Sequence, residues 1–373
     1  PSCVKGKQMK VINNTDVARL VTQAEVTQVL ESAYQDFFNG IAVCRPRVDV
    51  EIPSSSPDRF YRWGTMEGGS AGKYFAIRCK SDMIYHKRTG SSVTQEKYCV
   101  EPGTFCGFIL LFSVENGEPL ALINDGVIQH MRVAADGAIG VKYASREEST
   151  TIGLLGSGGM AKDHLQSVIH VRNIQRVKVF SPTKENRIAF AEIMTEELGI
   201  SVDPVDTPED AVRDVDIIMG LTDSAVPVIK PEYVEPGHHL LNVGGGGGIP
   251  PDVQARVSKF LRFGNTDSPI GWSDTSFDDE HLTWQARSGF TEKAMASKGR
   301  AHGVFGDDRL VYLSQVLDAG RFERLRDDVT YSERGNLQGN QFHAVAGLLY
   351  EKAIEAGVTT EIPTELFLQD IRN

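Results

Sequence analysis

Cysteine is scarce in this 373-residue chain, and what there is shows no pairing pattern. The five residues Cys3, Cys44, Cys79, Cys99 and Cys106 are odd in number and contain no CxxC spacing. That argues against a disulfide framework or a cysteine zinc site and fits a reducing compartment. Long apolar runs are missing too. The longest, such as "FILLF" at residues 108–112, is far too short to cross a bilayer. With no basic-plus-apolar leader at the start, the expected location is the cytoplasm, with no membrane partner. Positive charge is outweighed: the net charge of −11 argues against nucleic acid or an anionic membrane as partner. An anionic substrate must then be met by a local cluster of arginines working against the global field. Metal-ligand spacing is absent among the nine histidines, so no metal is expected. His238 and His239 are adjacent on a strand-like run and point to opposite faces. His130 and His343 are read as structural histidines.

What is present is an ordinary globular composition, 40% hydrophobic and 24% charged, in a chain long enough for two domains. A cap at Thr15-Asp16 precedes an apolar face of Val26, Val29, Leu30, Ala33, Tyr34, Phe37 and Phe38, which predicts a helix ended by Asn39-Gly40. From about residue 44 to 126 the texture is β-like, with "KYFAIRCKS", "TFCGFILLFS" and an Asn-Gly hairpin signal before "EPLALIND". From about 125 to 265 strand-like runs alternate with helical ones: "TIGLL", "RVKVF", "DIIMGL", "HLLNV", "KFLRF". That alternation predicts an α/β fold with a parallel sheet covered on both faces. "DTPEDAVRDVD" carries a helix N-terminus, with a capping Asp or Thr and a proline in the first turn. Residues 341–357 form a helix too far along to join the central sheet, so the C-terminus is expected to return to the N-terminal domain.

In the middle lies "TIGLLGSGGMAKDHL". It reads Gly156-x-Gly158-x-x-Ala161, after a strand and before a helix. The turn is tight, backbone must approach a pyrophosphate closely, and the helix N-terminus offers unpaired N–H groups. Gly156, Ser157, Gly158, Gly159 and Met160 are therefore the expected dinucleotide cradle. The second strand of such a unit usually ends in an acid that binds the ribose. Here "RVKVF" runs into Ser181, Pro182, Thr183 and Lys184, with Arg187 nearby. Hydroxyls and cations suit a 2′-phosphate, so NADP(H) is favoured over NAD(H). The alternative is that Ser181 and Thr183 only cap the next helix.

The order and spacing of several segments resemble the ornithine cyclodeaminase/mu-crystallin family. They are "INDGVIQHMRVAADGAIGVKYAS" one helix ahead of the glycine loop, "FSPTKEN", "GLTDS" and "LNVGG". The resemblance covers nearly the whole chain. It implies a Rossmann domain at 131–329, a doubly wound parallel sheet inserted into an α+β substrate-binding and dimerisation domain made of 1–130 plus 330–373. It implies a homodimer and NAD(P)-dependent chemistry at the C–N bond of a small amino or imino acid. Thr222, Ser224, Val243, Gly244 and Gly245 then join the cofactor side.

Arginine pairs a carboxylate through two parallel hydrogen bonds. The positions that match the family's substrate residues are Arg45, Arg47, Arg78, Lys80 and Arg132, with Met66 beside them. Asn336 and Gln341 are expected amide donors where the C-terminal helix begins. Arg78 and Lys80, two apart on a strand, point the same way. Arg78 stands where the family commonly has lysine; arginine cannot give up a proton near neutral pH, so Lys80 is the expected donor. Ornithine cyclodeaminases carry an aspartate after the fifth strand, where this chain has Gly246 within "VGGGGGI"; Asp252 is the nearest acid. An imine reductase or amino-acid dehydrogenase is therefore expected. Ornithine cyclodeamination and a non-catalytic, crystallin-like ligand binder are its rivals. Residues 53–72 and 266–305 are extra length expected to shape the substrate pocket.

Overall fold

The computed structural model describes residues 6–89, 92–224, 226–244, 248–271, 281–286, 288–289 and 308–369. The chain divides into two compact units: Pro1–Gln129, Asn265–Arg300 and Asn336–Asn373 form one, His130–Gly264 and Ala301–Gly335 the other.

The first unit opens with β1 (Gln8–Ile12), α1 (Asn14–Leu20) and α2 (Gln23–Phe38). The single helix capped at Thr15-Asp16 is in fact two helices. Asn13 and Thr22 each accept the backbone N–H three residues on, while Asp16 and Glu25 reach back to the cap N–H. Two capping boxes around an extended Val21 break the run. α2 buries Val26, Leu30, Ala33 and Tyr34 and stops at Asn39, as its periodicity indicated.

Seven strands follow: β2 (Ala42–Cys44), β3 (Arg47–Pro53), β4 (Arg59–Ser70), β5 (Tyr74–Thr89), β6 (Ser92–Tyr98), β7 (Cys106–Ser113) and β8 (Pro119–Asn124). The expected Asn-Gly turn joins β7 to β8, with Gly117 at φ +75° and its N–H on the Ser113 carbonyl. α3 (Gly126–Ala144) then runs into the second unit.

That unit contains β9 (Thr151–Leu155), α4 (Gly159–Val168), β10 (Arg176–Phe180), α5 (Lys184–Leu198), β11 (Ser201–Pro204) and α6 (Pro208–Val212). β12 (Ile217–Thr222), β13 (His239–Gly244), α7 (Pro251–Gln254) and β14 (Lys259–Arg262) come next. β15 (His281–Gln285) belongs to the first unit; β16 (Leu310–Tyr312), α8 (Leu313–Ala319) and β17 (Thr330–Glu333) belong to the second. α9 (Gln338–Glu355) and β18 (Glu361–Pro363) return to the first.

The second unit's sheet runs β11-β10-β9-β12-β13-β17-β14-β16, with all strand pairings among the described residues parallel. Along β12, Ile217 and Met219 face one core with Ala161, Leu165 and Phe190, while Ile218 faces another with Ala211, Leu240 and Val253. Helices thus cover both faces of a parallel sheet, the Rossmann-type doubly wound arrangement that the alternation indicated. β17, within the segment set with the chain ends on sequence, pairs here between β13 and β14.

The first unit's sheet has ten strands among the described residues, in the order β15-β3-β4-β5-β7-β8-β1-β18, with β2 on β4 and β6 on β5. β15 on β3 and β1 on β8 are parallel and the rest antiparallel. α9 covers this sheet at very close range: a Cβ on Gly339 would stand 1.9 Å from the Glu67 carbonyl oxygen. Only glycine lets helix backbone approach strand backbone that far. Phe342, Val345, Ala346 and Leu349 fill the space beside it.

Two fully buried histidines make the second unit acid-sensitive. His239 on β13 donates Nδ1–H to the Thr330 hydroxyl at 2.9 Å, and that hydroxyl donates onward to the Ala144 carbonyl. His164 in α4 donates to the Met160 carbonyl at 2.7 Å. Burial, with Arg324 and Arg172 adding to it, pushes His239 down to about 3. Burial pushes His164 down to about 4. The unfolded chain binds these protons near pH 6.5, the folded chain only far lower, so stability is full above pH 6.5 and falls as pH drops. Each histidine is expected to cost about 2 kcal/mol by pH 5. Urea unfolding at pH 7 and pH 5 checks this, and His239→Gln should flatten the slope. Equal stability at both pH values contradicts it.

Candidate active site

At the C-terminal ends of β9, β10 and β12, where the strand order reverses, the second unit holds a cavity of about 460 Å³. Doubly wound sheets place ligands at this switch point. Gly156, Ser157, Gly158, Ser181, Thr183, Thr222 and Ser224 line it. Gly156 sits at φ +126°, and a Cβ there would lie 1.9 Å from the Leu221 carbonyl oxygen. Gly158 is the N-cap of α4, has no side-chain cap, and its missing Cβ would meet no atom within 4 Å. An uncapped helix start above open space fits a pyrophosphate.

Gly159 and Met160 begin α4, and Val243 and Gly244 end β13; none of the four lines the cavity. Gly245 and Gly246 lie outside the described residues. Lys184 and Arg187 do not line it either. Arg187 is buried against the Phe180 ring; it donates to the Ser181 carbonyl at 3.0 Å and pairs with Asp206 at 2.6 Å. Ser181 Oγ instead accepts from Ser157 Oγ at 2.8 Å. Thr183 is the N-cap of α5 but makes no capping hydrogen bond. Asn186, Asp223, Lys230 and Tyr233 also line the cavity and carried no motif. Lys230, eight residues beyond β12, lies over the Tyr233 ring at 5.3 Å. His130 pairs with Asp163 at 3.2 Å and its ring approaches Gly159. Arg132, further along α3, is buried.

The first unit carries a second polar site on one face of its sheet. Register places Arg78 opposite Met66, Lys80 opposite Gly64 and Asp82 opposite Arg62, with Asp49 opposite Gly64 on the far side. Cross-strand partners share a face. Arg78 pairs with Asp125 at 2.5 Å, lies over the Phe342 ring at 5.0 Å and donates to Met66 Sδ at 3.5 Å. Arg47 pairs with Asp49 at 2.8 Å, Arg62 with Glu51 at 2.6 Å, and Lys80 with Asp82 at 3.3 Å. Burial lowers the Arg78 guanidinium from its ordinary value, and Asp125 opposes the shift. The carboxylates Asp49, Glu51 and Asp82 are also buried. Asp82 Oδ1 has no hydrogen-bond partner among the described residues.

Two glycines make room for these carboxylates. A Cβ on Gly64 would stand 2.7 Å from Asp49 Oδ1, and one on Gly107 2.2 Å from Asp125 Oδ1. Of the expected substrate residues, Arg47, Met66, Arg78 and Lys80 come together here. Arg45 does not: it is exposed and paired with Glu67, whose register puts it on the opposite face. Gln341 donates to the Tyr34 hydroxyl of α2 at 2.7 Å, and Asn336 accepts the Thr266 N–H at 2.7 Å. Asp49, Glu51, Arg62, Asp82 and Asp125 were missed on sequence. The signal was there, as charges at every second position of β-like runs: Arg47-x-Asp49-x-Glu51 and Arg78-x-Lys80-x-Asp82.

The family model for the ornithine cyclodeaminase/mu-crystallin family matches residues 8–254. The chain belongs to this family. Within the family, it is 26% identical over 357 residues to a Delta(1)-pyrroline-2-carboxylate reductase of Bacillus cereus, covering 95% of this chain and 99% of that one. The fold matches Thermococcus litoralis Delta(1)-pyrroline-2-carboxylate reductase, solved in complex with NADH and L-proline, at TM-score 0.70 and 23% identity (95% and 100% of the two chains). It matches an archaeal alanine dehydrogenase dimer with bound NAD at TM-score 0.70 and 21% identity (95% and 99%). Family membership was legible in "HMRVAA" and the glycine loop. Among the described residues no group of side chains is arranged to hold a metal, and no helix is long and apolar enough to cross a membrane.

Proposed function

We propose that this protein is an NAD(P)H-dependent oxidoreductase acting on the C–N bond of a small amino or imino acid. The observation that carries the reading is the charged face where buried Arg78 meets half-buried Arg47 and Lys80, in a chain of net charge −11. Arginines paired in this way present fixed donors to a carboxylate without needing to be ordered on binding. The full-length relative named for a cyclic imino carboxylate supports the substrate class. We assign Arg47 and Arg78 to the carboxylate, with Arg132 as a third contributor and Lys80 beside the nitrogen. The α4 N-terminus with Gly156 and Gly158 would hold the pyrophosphate. Ser181, Thr183, Asn186 and Lys230 would hold the ribose end, where the absence of an acid after β10 favours NADPH. A nicotinamide bound there would supply the hydride chemistry at the imine carbon. A homodimer in the cytoplasm completes the proposal; the alanine dehydrogenase dimer supports the first part. The second accords with Cys44, Cys79, Cys99 and Cys106, all free thiols.

The test is a screen of cyclic imino acids, keto acid plus amine pairs and amino acids, following nicotinamide absorbance. Some imino acid should consume reduced cofactor in stoichiometric amount. NADPH should bind at least about tenfold, or 1.4 kcal/mol, more tightly than NADH. Ornithine with catalytic NAD should give negligible ammonia. Rapid proline formation from ornithine would overturn the reading. Asp252, exposed at the start of α7, would then be the first acid to examine.

A further inference from the structure

The second unit holds another cavity, of about 600 Å³, and its wall is charged. Lys142, Arg146, Arg172, Arg321, Arg324 and Arg326 line it, against the carboxylates Glu147 and Glu148. It lies at the end of the parallel sheet opposite the cavity at the glycine loop. Asp216, which pairs with Arg146 at 2.5 Å, immediately precedes β12. Gly237, whose carbonyl accepts Arg324 Nη2 at 3.1 Å, comes just before β13. Strands of five or six residues put roughly 17–20 Å between the two ends. Two of the cations are fixed by backbone. Arg172 donates to the carbonyls of Arg146 at 3.0 Å, Val171 at 2.8 Å and Ser145 at 3.2 Å, and to that of Lys142. Arg324 donates to the carbonyls of Ala144 at 2.7 Å and Asp328 at 2.5 Å as well as Gly237. Lys142 and Ala144 close α3, and a helix C-terminus carries only about half a negative charge, against two full positive ones. Neither arginine makes an ion pair with a carboxylate among the described residues. Burial lowers the Arg324 guanidinium from its ordinary value; Arg146 and Arg172 lower it further, while Asp328 and Glu148 oppose the shift.

We propose that this cavity is a second ligand site, which takes a small organic anion bearing at least two negative charges, of the phosphate-ester or polycarboxylate class. Arg172 and Arg324 supply charge and not contacts, since every side-chain nitrogen of both already donates to the protein. The contacts come from side chains with donors to spare. Arg326 is exposed, and its guanidinium has no partner among the described residues. Arg146 gives Nη2 to Asp216, but its Nε is buried without a hydrogen-bond partner among the described residues. Arg321 pairs with Glu323 at 2.7 Å where both are exposed, a contact weak enough to yield to a ligand. Guanidinium forks match the oxygens of phosphates and carboxylates alike. The size and the wall argue for an organic ligand over a single inorganic ion. The volume is that of a small-molecule site, and Tyr143, Phe322 and Leu325 add apolar surface for the body of the ligand. Asp328 is not on the wall; its carboxylate accepts the Leu325 N–H at 2.7 Å. A nucleic acid would meet the repulsion of a chain of net charge −11, which a small anion entering a local cationic cavity escapes. The site shares no residue with the charged face of the first unit, so the proposal does not depend on the reductase reading.

The test titrates the full-length protein with tripolyphosphate and with citrate by calorimetry, at constant ionic strength set with sodium chloride. At least one should bind with Kd below about 1 mM, and the tighter of the two names the ligand class. Arg321→Glu combined with Arg326→Glu should weaken that binding at least about tenfold. Glu147→Gln combined with Glu148→Gln should tighten it about threefold, an opposite sign that a merely structural role does not produce. Gly158→Phe, which obstructs the start of α4, should leave it within about threefold. The bound anion should also protect Arg326 from phenylglyoxal, read by peptide mass spectrometry. If the double reversal fails to fold, as urea unfolding would show, the glutamine pair and the protection of Arg326 decide the matter. Absence of binding by both probes overturns the proposal. So does a Kd within about twofold of wild type in the folded double reversal, or loss of the binding in folded Gly158→Phe, which would place the anion at the glycine loop.

Discussion

Replacing Gly158 with phenylalanine is expected to abolish binding of both NADPH and NADH in a protein that still folds. The position has an ordinary backbone, φ −90° and ψ −175°, and nothing lies within 4 Å of where a Cβ would stand. A side chain is therefore tolerated by the fold and projects into the space left above the α4 N-terminus. That space is where a pyrophosphate would meet the first N–H groups of the helix. Affinity should drop by at least about a thousandfold, or 4 kcal/mol, measured by fluorescence titration of the reduced cofactor. Gly156→Val gives the contrasting result. At φ +126°, with the Leu221 carbonyl oxygen 1.9 Å from its Cβ position, it should fail to fold. An unchanged cofactor titration in the folded Gly158→Phe protein would mean that the dinucleotide lies elsewhere.

The second large effect is expected at Arg78. Arg78→Met should lower kcat/KM for the imino acid by about a thousandfold or more, since it would remove the donor proposed for the carboxylate. It should also destabilise the protein by about 3–5 kcal/mol, because Asp125 is left as a buried charge without its partner. The two effects separate in a double variant. Adding Asp125→Asn removes the stranded charge while keeping the shape that fits against Gly107, so stability should recover while activity does not. Chemical denaturation and steady-state kinetics on the three proteins check this. An Arg78→Met protein with wild-type kcat/KM would remove the charged face from the proposed mechanism.

What the sequence determined by itself is local. The glycine loop was legible because strand, turn and helix lie within about fifteen residues, and each of its glycines answers a constraint set by close neighbours. The same holds for the Asn116-Gly117 hairpin, for α9 and for the alternation that gave the parallel sheet. Family order and spacing added the domain plan. The split of the first helix was missed although its signals were present, because Asn13 and Thr22 compete with an apolar periodicity that continues through both.

Only the tertiary structure decided which charges meet. Two-residue spacing says that Arg78, Lys80 and Asp82 share a face, but not which face of β3, β4, β6 and β8 is turned with them. That depends on register, and a slip by one residue sends a side chain to the other side. The outcome put Arg45 with Glu67 on the wrong face and gathered Arg47, Asp49, Arg62 and Asp125 around Arg78 and Lys80. It also committed Arg187 to Asp206, outside the lining of the second unit's cavity at the glycine loop, and brought Lys230 to that cavity's wall. β17 entered the parallel sheet between β13 and β14, although it comes after both in the chain. In each case the partners are distant in sequence, and their pairing is selected by which buried charges can be neutralised and which backbones can approach.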